Sequence, residues 1–248
     1  MAVKKFIKKS IEYIAGKAGL IVIPEWRLDS YFLAMRLKRI ISEYQIDCIF
    51  DVGANIGQYH DFLRQQVGYD GLIISFEPDP DNFKQLNERK KTDNRWMVFD
   101  YALGKEKKPL DFHIMQSSEF NSFLEPDSSE TQGFEESNSI IKTIRIETKR
   151  LDEIIEGIRD NNQFESVFLK LDTQGFDLEV FEGASGCLDL IRGVQTEISV
   201  MPIYKNMPTF ETSIQVFKSK GFEVSGLYSL SESRFPHAVE FDCIYLPK

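Results

Sequence analysis

The residues with the clearest chemical potential lie in the decapeptide FDVGANIGQY, residues 50–59, directly after the apolar run IDCIF. Gly53 allows the tight backbone turn that follows a strand, and Gly57 allows a helix to begin close to that strand. Such a helix start offers unpaired N–H groups to a ligand. Two ligands suit this turn, a dinucleotide pyrophosphate or the methionine part of S-adenosylmethionine. A dinucleotide site has glycine at the middle position of G-x-G-x-x-G, where this chain has Asn55. Asp51 at the strand end repels an anion and attracts the amino group of S-adenosylmethionine. Glu77 follows at the end of the next apolar run, where a carboxylate accepts hydrogen bonds from ribose hydroxyls. The cofactor contacts expected from this pattern are Asp51, Gly53, Ala54, Asn55, Gly57 and Glu77. Asp100, Tyr101 and Ala102, after a third run, are expected beside the adenine, with Phe76 and Tyr101 flanking its ring.

A second group of residues suits an acceptor. In SVFLKLDTQG, Lys170 and Asp172 share one strand face by the period of two, so they pair or both point into the cleft. Asp172 is the first candidate to contact an acceptor or take its proton, and Glu197 lies at the edge of the following strand. Transfer of a methyl group from a sulfonium requires alignment of the nucleophile and exclusion of water. A hydroxyl acceptor also loses a proton, which a carboxylate or histidine can take. Of the three histidines, His60 falls in a helix and reads as structural or exposed. His113 falls in a strand, and His237, in the loop before the last strand, is the best placed to act as a base. Asp172 and Glu197 could instead support a divalent metal, but no compact metal motif is present and no metal ligand is assigned.

These residues need a scaffold, and after residue 24 the chain alternates strand-like apolar runs with helical periods, as a parallel sheet with crossover helices does. Helices are expected over 28–45, 57–67, 80–91, 151–158, 176–190 and 209–220. Strands are expected over 46–53, 71–78, 95–103, 166–175, 193–200, 221–228 and 239–247. Residues 105–150 break the rhythm with two strand-like segments around a Ser-, Glu- and Asn-rich stretch, 116–138. There Ser117, Ser118, Asn121 and Ser122 suit a hydroxylated ligand, as part of a lid. Two parts follow: an N-terminal extension over 1–27, and a catalytic α/β domain over 28–248 that carries the 105–150 insert.

Composition narrows the partners. The 248 residues carry 30 Lys and Arg against 39 Asp and Glu, a net charge of −9, so nucleic acid is not an expected substrate. Cys48, Cys187 and Cys243 are far apart in apolar contexts and read as buried thiols in a reducing, cytoplasmic setting. Residues 1–20 form a basic amphipathic helical pattern without signal-peptide features, which suits packing on its own domain or peripheral contact with the inner face of a membrane.

With these blocks in view, the chain resembles the FkbM family of S-adenosylmethionine-dependent methyltransferases. The resemblance rests on DVGANIGQY, SFEPDPDNFKQL, ALG at 102–104, FLKLDTQGFDLEVFEGA, the Glu197 strand with PIYKNMPTF, and FDCIYLP. It implies a Rossmann-like class I methyltransferase fold, α/β, with a seven-stranded, mostly parallel sheet whose last strand is antiparallel. It also implies O-methylation of a hydroxyl on a sugar, glycan or natural-product scaffold. Two other readings stay open: a non-catalytic binding protein of the same fold, and a nicotinamide-dependent oxidoreductase. The latter is disfavoured by Asn55 and by the lack of a Tyr-x-x-x-Lys pair.

Overall fold

A computed structural model describes residues 14–127, 136–229 and 238–248. The first thirteen residues of the basic extension, residues 128–135 of the polar stretch, and His237 therefore lie outside the described residues. The chain follows the alternation expected of it. Helix α1 (Leu28–Glu43) leads into β1 (Cys48–Val52), short α2 (Gln58–Phe62), β2 (Leu72–Phe76), α3 (Pro80–Arg89) and β3 (Trp96–Phe99). After β4 (Ala102–Leu103), β5 (Pro109–Met115) and β6 (Ile140–Lys149) come α4 (Leu151–Asn162), β7 (Val167–Leu171), α5 (Asp177–Glu182) and β8 (Ile191–Ser199). Helix α6 (Phe210–Ser219), β9 (Phe222–Ser229) and β10 (Glu240–Pro247) complete the described elements.

The main sheet has seven strands in the order β3-β2-β1-β7-β8-β10-β9. Its neighbours pair in parallel except β10, which runs antiparallel to both β8 and β9. The central strands β1 and β7 are buried along their whole length, as expected where helices cover both faces of a parallel sheet. Alternation sorts their side chains into two cores. Phe50, Ile74, Leu169 and Val194 pack with Leu151, Ile155, Phe181 and Phe217 from α4, α5 and α6. Ile49, Ile73, Phe168 and Ile244 pack with Leu37, Ile40, Leu63 and Leu86 from the opposite layer.

Local signals set the helix starts. Asp79 caps α3 by accepting the Asp81 N–H at 2.9 Å, with Pro80 at the first helical position. Thr209 caps α6 through the Thr212 N–H. All three cysteines are buried and free. Among the described residues, no helix is long and apolar enough to cross a membrane.

Two expectations change. The single strand over 95–103 is broken at Asp100 and Tyr101, because Ala102 and Leu103 leave the main sheet and pair in parallel with Thr148 and Lys149 of β6. Strands β4, β6 and β5 thus form a separate three-stranded sheet. The helix over 57–67 keeps α-helical form only to Phe62 and continues as a wider π-type turn over Leu63–Val67.

Phe50 is fully buried and meets Phe76 and Phe164 edge-on, with ring centroids 5.8 and 5.5 Å away. Replacing Phe50 with alanine leaves a cavity at the centre of the sheet and is expected to lower unfolding free energy by about 3–5 kcal/mol. A urea-unfolding midpoint unchanged from the wild type would refute this.

Candidate active site

A cleft of about 440 Å³ opens at the carboxyl ends of β1, β2, β7 and β8, the edge where open α/β sheets bind ligands. Its floor is a polar row on one face of the sheet. Ser75, Asp51, Lys170 and Gln195 are register partners on β2, β1, β7 and β8. The Trp96 indole N–H donates to Ser75 Oγ at 3.0 Å, and Ser75 Oγ donates to Asp51 Oδ2 at 3.1 Å. The Lys170 ammonium lies 3.0 Å from Asp51 and 3.2 Å from Asp172 and donates to the Gly53 carbonyl at 3.2 Å. Burial works against this charge, but the carboxylates of Asp172 and Asp51 outweigh burial and raise the Lys170 pKa above its ordinary value. The fully buried Asp51 therefore faces a cation of the chain itself.

The glycine turn is arranged differently from the expectation of free N–H groups. Gly53 and Ala54 both donate to the Phe76 carbonyl, at 3.0 and 3.1 Å, and Gly57 donates to the Ala54 carbonyl at 2.8 Å. Asn55 N–H donates to Glu77 Oε2 at 2.7 Å, and Ile56 N–H to Gln58 Oε1 at 3.2 Å. Every N–H from 53 to 57 is thus spent inside the protein, which leaves no anion cradle of the kind a pyrophosphate needs. Gly53 has φ +77°, and a Cβ there would fall 1.8 Å from the Asp172 carbonyl oxygen. Gly57 has φ +93°, and a Cβ there would crowd Trp96, Arg89 and Leu86. The turn therefore sits directly against the β7 loop.

Gly53, Ala54, Asn55 and Glu77 line the cleft, together with Lys170, Asp172 and Glu197. Asp51 lies beneath it, and Gly57 stands behind the turn. Asp100, Tyr101, Ala102 and Phe76 do not line it. Asp100 is exposed. Tyr101 stacks on Phe99 and Phe76 with Lys149 over its ring, and Ala102 is buried in β4. Their position follows from the break after β3, which diverts this segment toward the second sheet. His60 is buried, stacks on Trp96 at 3.7 Å and lies 3.0 Å from Asp93. His113 on β5 contacts Thr143 Oγ1 at 3.0 Å.

Several site residues carry no sequence motif. Gln174, in the left-handed region at φ 51°, uses one amide nitrogen to bridge Asp172 Oδ1 and Glu197 Oε2, each at 3.0 Å. Gln195 Nε2 donates to Asp242 Oδ1 at 2.7 Å, and Tyr59 OH donates to Gln195 Oε1 at 2.8 Å. Glu240 and Asp242 of β10 also line the cleft. Period two along β8 and β10 aligns Gln195 with Glu197 and Glu240 with Asp242, but only the pairing of Asp242 with Glu197 brings the two sets together. The insert supplies a wall. Ser118 Oγ donates to Asn55 Oδ1, Asn121 Nδ2 to Asp79 Oδ2, and Ser122 Oγ to the Gln174 carbonyl.

The cleft is strongly acidic. Among the described residues that line it, Glu77, Glu119, Asp172, Glu197, Glu240 and Asp242 face the single cation Lys170. Burial pushes Glu77 up to about 8 despite two backbone N–H donors, from Asp79 and Asn55. Burial, with the nearby Asp172, raises Glu197 well above the ordinary range and Glu240 to about 7. Burial also raises Asp242 to about 6, against the hydrogen bond from Gln195. Such a cleft favours a ligand of net positive charge. S-adenosylmethionine, with a sulfonium, an ammonium and one carboxylate, fits that requirement, and Glu77 retains lone pairs for ribose hydroxyls. Among the described residues, no group of three His, Cys, Asp or Glu side chains is placed to hold a metal ion.

The methyltransferase FkbM domain model matches residues 51–224. No curated protein sequence matches the chain. Among solved structures, methyltransferase FkbM from Methylobacillus flagellatus KT overlays with a TM-score of 0.49 at 16% identity, covering 81% of this chain and 43% of that one. This chain thus spans less than half the length of that protein. Fibrillarin from Aeropyrum pernix, in complex with natively bound S-adenosyl-L-methionine, gives 0.48 at 12% identity, covering 88% of this chain and 76% of that one. An uncharacterized protein from Listeria monocytogenes serotype 4b gives 0.47 at 9% identity, covering 86% and 67%.

The raised carboxyls imply a pH dependence of folding. Glu77, Glu240 and Asp242 hold protons more tightly folded than unfolded, where their ordinary values are 4.5, 4.5 and 3.8. Between those values and about pH 8 the folded state binds more protons, so stability falls as pH rises. Each titrating group contributes up to about 1.4 kcal/mol per pH unit. Asp93 acts outside this window, because bonds from His60 and Arg64 overcome its burial and hold it at about 2. The melting temperature of the ligand-free protein should therefore be higher at pH 5.5 than at pH 8.5, and calorimetry showing the opposite order would refute this account.

Proposed function

The chain belongs to the FkbM methyltransferase domain family, and from that membership we propose that it transfers a methyl group from S-adenosylmethionine to an uncharged hydroxyl of a sugar, glycan or secondary metabolite. The observation that carries this reading is an acid-rich cleft beside a glycine turn whose N–H groups are all spent. That combination suits a sulfonium and excludes the phosphate cradle of a dinucleotide enzyme. When bound, S-adenosylmethionine supplies a methyl group on positively charged sulfur, ready for in-line displacement. The turn at Gly53–Asn55 and the Glu77 carboxylate would hold it.

The chain's own residues then have to align a hydroxyl and take its proton. Asp172 opens onto the cleft with about a third of its side chain exposed, beside the Lys170 ammonium. Gln174 ties Asp172 to Glu197, so the two carboxyls act as one proton-accepting pair. Glu197, raised by burial and by the Asp172 charge, binds a proton more strongly than a free carboxylate, as a proton acceptor must. The insert wall of Ser118, Phe120 and Asn121 lines the same cleft and would exclude water during transfer. A phosphorylated or carboxylated acceptor would meet the same carboxyls and be repelled.

Isothermal titration with S-adenosylmethionine and, in parallel, with NAD tests the first step. Binding of the former alone is expected, and Gly53→Ala should abolish it by driving the turn off the Asp172 carbonyl; preferential NAD binding would overturn the assignment. Methyl transfer from labelled S-adenosylmethionine to panels of neutral glycosides and sugar phosphates tests the second. Neutral acceptors should be preferred, and Asp172→Asn or Glu197→Gln should lower kcat by about 10²–10⁴-fold with little change in S-adenosylmethionine affinity. Cofactor binding without methylation of any acceptor would instead favour a non-catalytic binding protein.

A further inference from the structure

Outside the cleft, the most unusual surface lies between residues 14 and 35. Of the thirteen large apolar side chains exposed among the described residues, eight fall in this stretch. Helix α1 is apolar on two faces. Leu33, Ala34, Leu37 and Ile40 are buried against the sheet, whereas Leu28, Phe32 and Met35 follow one another at helical spacing on the opposite side. Phe32 is 71% exposed, and Trp26, just before the helix, is 65% exposed. A second apolar stripe on a helix that already buries its first marks a surface meant to be covered.

Charge and position indicate what covers it. Residues 1–27 hold six Lys and Arg against two Glu, in a chain whose net charge is −9. In sequence the apolar stripe thus follows a basic stretch of an acidic protein, an arrangement suited to negatively charged headgroups above an apolar layer. Trp26 has the Arg27 guanidinium 5.8 Å from its ring, and such an aromatic and cationic pairing suits the boundary between water and lipid. The same helix lines the cleft through Ser30 and Leu33, on the side turned away from the stripe.

We propose that residues 14–35 dock this protein onto an anionic lipid bilayer, with Trp26, Leu28, Phe32 and Met35 entering the interface. This surface is independent of the methyl-transfer chemistry, so it can fail while the proposed function stands. It also shifts the expected contact from residues 1–20 to a stripe that includes the first turns of α1.

Sedimentation of the full chain with phosphatidylcholine vesicles, with and without phosphatidylglycerol, is the test. Binding is expected on the anionic vesicles, weaker on the neutral ones, and reduced by added salt. The double variant Trp26→Ser with Phe32→Ser, at two exposed positions, should keep the wild-type circular dichroism spectrum and lose about tenfold or more in vesicle affinity. Absence of binding to anionic vesicles at low salt, or undiminished binding by the folded double variant, would overturn the proposal. So would light scattering that reveals a dimer dissolved by the same variant without vesicle binding, which would assign the surface to a second copy of the chain.

Discussion

The site depends on one buried cation. Lys170 stands on a central strand with Asp51 on one side and Asp172 on the other, and its remaining bond goes to the Gly53 carbonyl. Two carboxylates and a glycine turn would not stay together at the edge of an apolar sheet without it, because like charges in a poorly solvated place repel strongly. A single ammonium converts that repulsion into a clamp joining β1, β7 and the turn. Burying an ion pair is costly, and losing one partner costs more than the pair itself contributes, since an unpaired charge remains inside. The tight contact between Gly53 and the Asp172 carbonyl is the steric counterpart of the same clamp.

From this clamp the polarity of the cleft follows. With Lys170 committed to Asp51 and Asp172, the acids farther out, Glu197, Glu240 and Asp242, have no cation of their own among the described residues and are raised by burial. Amide side chains manage them instead. Gln174 spans Asp172 and Glu197, and Gln195 holds Asp242. A ligand that brings positive charge would relieve this unmet demand, and a ligand that brings a phosphate would aggravate it. The insert completes the enclosure through hydroxyl and amide bonds to Asn55, Asp79 and Gln174, so its described part walls the cleft.

Much of this was legible in the sequence for physical reasons. Apolar runs alternating with helical periods determine a sheet covered on both faces, and the strands at 48–52, 72–76 and 167–171 fall inside the runs read for them. Glycines at 53 and 57 mark a turn that other residues cannot make, and period two along 170–172 puts Lys170 and Asp172 on one face. These are local properties, set by backbone sterics and by the chain's own spacing. They identify the turn, the Glu77 edge and the Asp172 edge as the places where chemistry gathers.

What the tertiary structure alone decided is which groups are already spent and which strands become neighbours. The N–H groups of the turn look free in sequence, but Phe76 and Glu77 from the next strand consume them. Tyr101 and Ala102 look like the continuation of β3, but pairing of Ala102 and Leu103 with Thr148 and Lys149 far along the chain draws the segment out of the main sheet. Glu240 and Asp242 look like ordinary strand residues until β10 inserts between β8 and β9 and places them beside Glu197. Each of these outcomes depends on a contact between residues distant in sequence, and local spacing carries no information about such contacts.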